Sequence, residues 1–224
     1  MKVILIASQK GGAGESTLAS HLGVVADLES EAAGTGPALL LDCDPQGSLA
    51  FWQSRREKET PLLAAAGAGD VQAVLEDAER SGIAWTIIDS PPHNTALLGT
   101  LMRVADLVVV PIRPGVFDLA ASGVTFDTAK AMGARAVAIL NHAPPPSRFG
   151  FGSGSTQART VLERMDVQVL PGQVSQRAAL SHALVNGTAV VEYEPKGAAS
   201  KEIFDLWHEI TKLTGAKAPA RKAK

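Results

Sequence analysis

The chain has 224 residues and is short of several things. It holds one cysteine, Cys43, which excludes an intrachain disulfide and any metal site or cluster built on several thiolates. Aromatic residues make up 4%, too few for a surface that stacks bases. No surplus of one charge exists: 21 Lys and Arg stand against 23 Asp and Glu, a formal net charge of −2, so a wholly basic coat is excluded while a local patch is not. No apolar run is long enough to cross a bilayer, and the opening MKVILIASQKGG is too short in its apolar part for a signal-peptide core. A cytoplasmic protein is the expectation. What is present is ordinary globular material, 46% hydrophobic and 20% charged.

Short apolar runs at 2–8, 38–43, 84–89, 107–112, 135–141 and 167–170 read as strands. Most are apolar throughout, as strands covered on both faces should be. Helix-like stretches lie at 16–28, 48–58, 70–81, 94–104, 119–132, 157–165, 176–185 and 198–213. This alternation predicts a single α/β domain of three layers over 1–213: a mostly parallel twisted sheet with helices on both faces. Its binding site should lie beyond the carboxyl ends of the strands. Residues 143–155, rich in proline and glycine, read as a mobile surface or partner-contacting loop. The Ala/Gly stretch 64–69 reads as a turn before a helix capped by Asp70. Residues 214–224 read as a loose basic tail, since Lys212, Lys217, Arg221, Lys222 and Lys224 follow the last acidic residue, Glu209.

Directly after the first strand comes Gln9-Lys10-Gly11-Gly12-Ala13-Gly14-Glu15-Ser16-Thr17, and then a helix pattern. A strand, a glycine-rich loop and a helix start together make a phosphate cradle. Glycines let backbone N–H groups face an anion, the helix N-terminus adds positive potential, and Ser16 places a hydroxyl where Mg²⁺ can bind. Asp42 and Asp89 close two further strands and make a plausible cation site, with helix capping as the plainer alternative.

The loop resembles the deviant Walker A box, KGGxxK[ST], of the ParA/MinD family of P-loop ATPases, and the short N-terminus is most similar to the small ParF-like partition type. Leu40-Leu41-Asp42-Cys43-Asp44-Pro45-Gln46-Gly47 resembles the family's second motif, and Ile87-Ile88-Asp89-Ser90-Pro91-Pro92 its Walker B region. Val109-Val110-Pro111 and Ile139-Leu140-Asn141 look like its later strand ends. The resemblance implies ATP or ADP with Mg²⁺, and residue roles. Lys10 matches the signature lysine that reaches a dimer partner's phosphates. Gly11, Gly12, Ala13, Gly14, position 15, Ser16 and Thr17 hold the nucleotide. Ser16, Asp42 and Asp89 serve the metal, Asp42 positions the attacking water, and Asn141 reads adenine, although a turn asparagine is the competing reading.

It further implies an ATP-dependent homodimer that binds DNA without sequence preference, nucleoid-associated when ATP-bound. Arg177, Lys196, Lys201 and Lys212 are the candidate DNA contacts. A cargo-bound DNA-binding or adaptor protein would stimulate hydrolysis, the cargo being a plasmid, a chromosome origin or a large protein assembly. Two branches of the same family are alternatives: a membrane-associated positioning ATPase like MinD, and a transfer-DNA accessory ATPase. The first is disfavoured because 214–224 lacks a membrane-inserting apolar face, so no membrane partner is expected.

The departure is Glu15, which stands where the pattern has lysine. A unit pair at about 4 Å and an effective dielectric near 20 is worth roughly 4 kcal/mol, so exchanging attraction for repulsion should weaken nucleotide binding severely. Three readings stand. A deliberate lysine-to-glutamate change in an otherwise intact loop is favoured. The others are a naturally degenerate site, and a Glu15 that points away while Lys10 compensates. The expectation for this chain is poor ATP binding, little hydrolysis and a mostly monomeric state. The histidines, including His93, show no metal-ligand spacing.

Overall fold

A computed structural model describes residues 1–92, 95–146, 150 and 152–215. The chain runs β1 (Lys2–Ile6), α1 (Glu15–Ala33), β2 (Ala38–Asp42), α2 (Ser48–Gln53), β3 (Leu62–Ala65), α3 (Val71–Arg80), β4 (Trp85–Asp89) and α4 (Thr95–Val104). It continues through β5 (Leu107–Ile112), α5 (Val116–Ala131), β6 (Ala136–Ala143), α6 (Ser153–Arg164), β7 (Val169–Ser175), α7 (Ala178–Val185), α8 (Val190–Tyr193) and α9 (Ala198–Thr214). The strands form one seven-stranded sheet in the order β3-β2-β4-β1-β5-β6-β7, every neighbour parallel.

The expected three layers follow from strict alternation along each strand. In β1, Ile4 and Ile6 point to a core shared with α1 and α9, while Val3 and Leu5 point to a second core shared with α4 and α5. Both faces are covered, which is why the central strands carry no polar face. On the first face Trp85 of β4 meets Trp207 of α9 edge-on at 4.6 Å between ring centroids. The Trp207 indole N–H donates to Glu29 at 2.8 Å, tying the last helix to the first. Such a ring pair adds about 0.5–1.5 kcal/mol beyond the area it buries.

Several local expectations need correcting. Residues 62–65 form a strand, not a lead-in to a turn; β3 is short, half-exposed and paired only with β2, so it shows no buried apolar pattern. The final strand runs on to Ser175 through Pro171 and Gly172, which an edge strand with register shifts tolerates. The 48–58 helix stops at Gln53, because the Arg55 carbonyl packs against Gly187 and the Arg55 guanidinium donates to the Val185 carbonyl. Asp70 sits at the start of α3 but makes no side-chain capping bond. The short α8 was not anticipated. His93, part of 143–155 and residues 216–224, for which expectations were stated above, lie outside the described residues.

Candidate nucleotide site

β1 lies between β4 and β5, so the loop that follows it sits at the middle of the sheet's carboxyl edge. Gly12 and Gly14 take left-handed φ values of +79° and +96°, which only glycine adopts without strain. Gly14 is doubly constrained: a Cβ there would fall 2.5 Å from Asn141 Nδ2. The loop then opens into α1 with Glu15, Ser16 and Thr17 as its first turn, whose amide groups have no helical partner.

Gly11, Gly12, Gly14, Glu15, Ser16 and Thr17 line one cleft of about 330 Å³. Ala13 is buried beneath it. The β2–β4 register sets Asp42 directly opposite Asp89, and the β1–β4 register sets Asp89 opposite Ile6, the last residue before the loop. Asp44 lines both the loop cleft and the cavity beside Asp42, so the two adjoin. A larger cavity than the loop cleft, about 560 Å³ between β7 and α9, is lined by charged groups that include the Arg177–Glu202 and Lys201–Asp205 ion pairs.

The carboxylates are poised for a cation. Asp42 Oδ1 accepts the Asp44 N–H at 3.0 Å, but Oδ2 is buried without a partner. Asp89 is fully buried, and neither of its oxygens makes a well-formed hydrogen bond. Burial raises the Asp42 pKa, and the Asp44 charge adds to it. Burial pushes Asp89 up to about 7, opposed by the Ser16 hydroxyl nearby and reinforced by the charges of Asp42 and Asp44. Gln9 Nε2 and Ser90 Oγ are buried and unpartnered as well. Orphaned hard oxygens and a hydroxyl at the edge of a phosphate-type loop fit Mg²⁺, which keeps several waters and uses few protein ligands. Among the described residues no group of three or more His, Cys, Asp or Glu side chains is placed to hold a metal ion.

Glu15 does not point away. It is 7% exposed, and burial, with smaller contributions from the Asp89 and Asp44 charges, pushes its pKa up to about 8. Burial first, and the neighbouring carboxylates after it, thus favour the protonated form, which would soften the repulsion expected of a full negative charge. The loop lacks a lysine's attraction without gaining full repulsion.

Lys10 leaves the cleft, its Nζ pairing with Asp118 of α5 at 2.9 Å. Asn141 is buried, and its amide nitrogen donates to the Ala13 carbonyl at 2.6 Å, bracing the loop from below. His142 follows with φ +51°, unusual for a residue with a Cβ. Cys43 is buried, and its thiol is pushed up to about 12 by burial and then by Asp42 and Asp89, as befits a core residue. Sequence reasoning missed Asp118 and Arg113. Arg113, just past β5, lays its guanidinium against the Gly12 carbonyl. Their positions at the carboxyl edge were the available signal.

The DNA candidates lie elsewhere and are mostly paired. Arg177 binds Glu202 at 2.9 Å, Lys201 pairs with Asp205, and Lys212 pairs with Glu209 at 2.7 Å. Lys196 is exposed and makes no ion pair among the described residues. No described helix is long and apolar enough to cross a membrane.

No protein-family model matches the chain. It is 28% identical over 218 residues to maintenance of carboxysome distribution protein A of Halothiobacillus neapolitanus, covering 92% of this chain and 95% of that protein. Over 121 residues it is 34% identical to protein ParA of Rhizobium radiobacter, covering 53% and 51%. Among solved structures, the Cyanothece McdA(D38A)–ATP complex superposes with a TM-score of 0.76 at 15% identity, covering 99% of both chains. The cell division protein MinD of Aquifex aeolicus superposes at 0.73 with 18% identity, covering 98% of this chain and 99% of that one. With its parallel sheet, its loop after β1 and these likenesses, the chain has the P-loop NTPase fold of the ParA/MinD type.

Proposed function

We propose that this chain is a ParA-type ATPase that positions a cargo through a nucleotide-dependent dimer. The observation that supports this most is the register pairing of Asp42 and Asp89 across β2 and β4, with Asp42 Oδ2 and both Asp89 oxygens buried without a well-formed hydrogen bond beside a glycine loop. Bound there, Mg²⁺ would neutralise and orient the phosphates of ATP. Ser16 and Asp89 hold the metal side of the site, Asp89 through water. Asp42 orients the attacking water. The amides of the loop and of the first turn of α1 bind phosphate oxygens. Lys10, released from Asp118, adds charge to a partner's phosphates. Asn141 keeps the loop in shape, and its contact with adenine remains part of the proposal.

The relative matched along nearly its whole length distributes carboxysomes by name, which favours a large protein assembly as cargo over a plasmid. An adaptor on that cargo stimulates hydrolysis, and the dimer holds to DNA without sequence preference, in the cytoplasm and on the nucleoid. Because three of the four basic candidates are internally paired, Lys196 carries most weight. The apolar face of α9 is spent on the core through Ile203, Leu206, Trp207 and Ile210, which tells against a MinD-like membrane helix in that element.

Glu15 leaves this site weak in binding and slow in hydrolysis, and the chain mostly monomeric. The test is titration of Mg-ATP by calorimetry, with sedimentation of this chain beside Glu15→Lys. We expect Glu15→Lys to bind at least about tenfold tighter and to dimerise with ATP. Micromolar affinity in the unaltered chain would overturn the impairment. Absence of binding in both would overturn the ATPase reading. An ATP-dependent gel shift that falls steeply with salt tests the DNA partner.

A further inference from the structure

Within the loop, position 15 supplies no cation and Lys10 is tied to Asp118. One positive group nevertheless lies across the loop. Arg113 leaves the carboxyl end of β5, the strand beside β1, and its side chain folds over onto the Gly12 carbonyl. Its guanidinium nitrogen is 3.6 Å from where a Gly12 Cβ would lie. The side chain is exposed, and among the described residues it forms no ion pair. Its charge is felt at the far side of the loop as well. After burial, it is what lowers the pKa of His142, whose Nε2 would stand 3.0 Å from a Cβ on Gly14.

An arginine held by one carbonyl keeps most of its five donors free, and its planar fork matches two phosphate oxygens at once. We infer that Arg113 is the residue that grips the terminal phosphates of the nucleotide in this chain, supplying from β5 the charge that position 15 lacks. The inference rests on the nucleotide site proposed above and names its phosphate-binding cation. On this reading the exchange at position 15 weakens binding without abolishing it, since a cation with no ion pair among the described residues rests on the Gly12 carbonyl.

The two positions should then be coupled. Arg113→Gln keeps a donor for the Gly12 carbonyl and removes the charge, whereas Arg113→Lys keeps the charge. Mg-ATP is titrated into the full chain by calorimetry for the unaltered protein, R113Q, R113K, E15K and E15K/R113Q, with thermal melts to show that each is folded. We expect R113Q to lose about tenfold or more in affinity, R113K to lose less, and R113Q in the E15K background to lose under about threefold. An equal loss in both backgrounds would overturn the inference, leaving Arg113 as a brace for Gly12. Equal affinity of R113Q and the unaltered chain would overturn it too. Binding by E15K with none by the unaltered chain would refute compensation by Arg113 and leave the nucleotide site standing. No binding by any of the five would bring down both.

Discussion

Lys10 and Asp118 join the phosphate loop to the first turn of α5 through a 2.9 Å ion pair, so the lysine matched to the family's signature position is held on its own subunit. Both side chains are partly exposed, at 41% and 17%, and such a pair is worth about 0.2–1 kcal/mol. In a Glu15→Lys background, Asp118→Asn should free Lys10. The ATP concentration at half-dimerisation, followed by sedimentation velocity, should fall about two- to fivefold. Lys10→Ala in the same background should abolish the dimer. An unchanged midpoint for Asp118→Asn would show that the pair does not restrain Lys10.

Asn141 presses on Gly14 so closely that no side chain fits between them. Gly14→Ala must move Asn141 and adopt a left-handed φ, at a cost of about 1–3 kcal/mol. Its melting temperature should drop by several degrees, and nucleotide affinity should drop further than in Gly11→Ala, where a Cβ meets open space. Equal behaviour of the two variants would argue against the bracing role of Asn141.

Asp89 is a buried carboxylate whose oxygens make no well-formed hydrogen bond, with only the Ser16 hydroxyl nearby to lower its pKa, an arrangement that costs stability. Asp89→Asn should therefore melt higher than the unaltered chain in the absence of ligand. The same variant should lose any Mg²⁺ dependence of nucleotide binding in the Glu15→Lys background. Differential scanning calorimetry and titration with and without Mg²⁺ read the two effects separately. A lower melting temperature would show that Asp89 has an unseen structural partner.

Acid should act on two groups in succession. His21 is fully buried, its Nδ1 accepting the Val190 N–H at 3.2 Å, and burial lowers its pKa from 6.5 to about 4, opposed by the Leu180 backbone and then by the Glu192 charge. The unfolded chain binds this proton first, so stability falls with pH between 6.5 and about 4, by up to about 1.4 kcal/mol per unit. Glu192 answers lower down. Burial raises its pKa, but Arg56, bound through both guanidinium nitrogens at 2.8 and 2.9 Å, together with Lys58 and the Ala189 N–H, brings it down to about 2. Its contribution is complete above pH 4.5 and disappears as pH falls towards 2. Urea titrations across pH should show His21→Gln flattening the upper range only, and Glu192→Gln the lower only.

How much of this was readable in advance depended on whether the signal was local. Five of the six strands found from apolar runs are interior and buried on both faces, because burial itself writes a continuous apolar stretch, whereas of the edge strand β7 only the first part was found. β3 escaped because an edge strand exposed on its outer side has no such imprint. The loop, Ser16, Asp42 and Asp89 were legible because each sits within a residue or two of a strand's end. Asp118 and Arg113 were not, since nothing in sequence ties residues more than a hundred positions away to the loop they touch.

The amino-acid sequence alone determined the layered parallel sheet, the glycine loop after its first strand and the acidic strand ends around it, because hydrophobic period and glycine spacing are local properties of the chain. Only the tertiary structure decided the burial of Glu15, the parking of Lys10 on Asp118, the reach of Arg113 to Gly12 and the pairing of Arg177 with Glu202. Each of these is set by the dielectric and the neighbours that folding brings together, and neither exists until the sheet has closed its two cores.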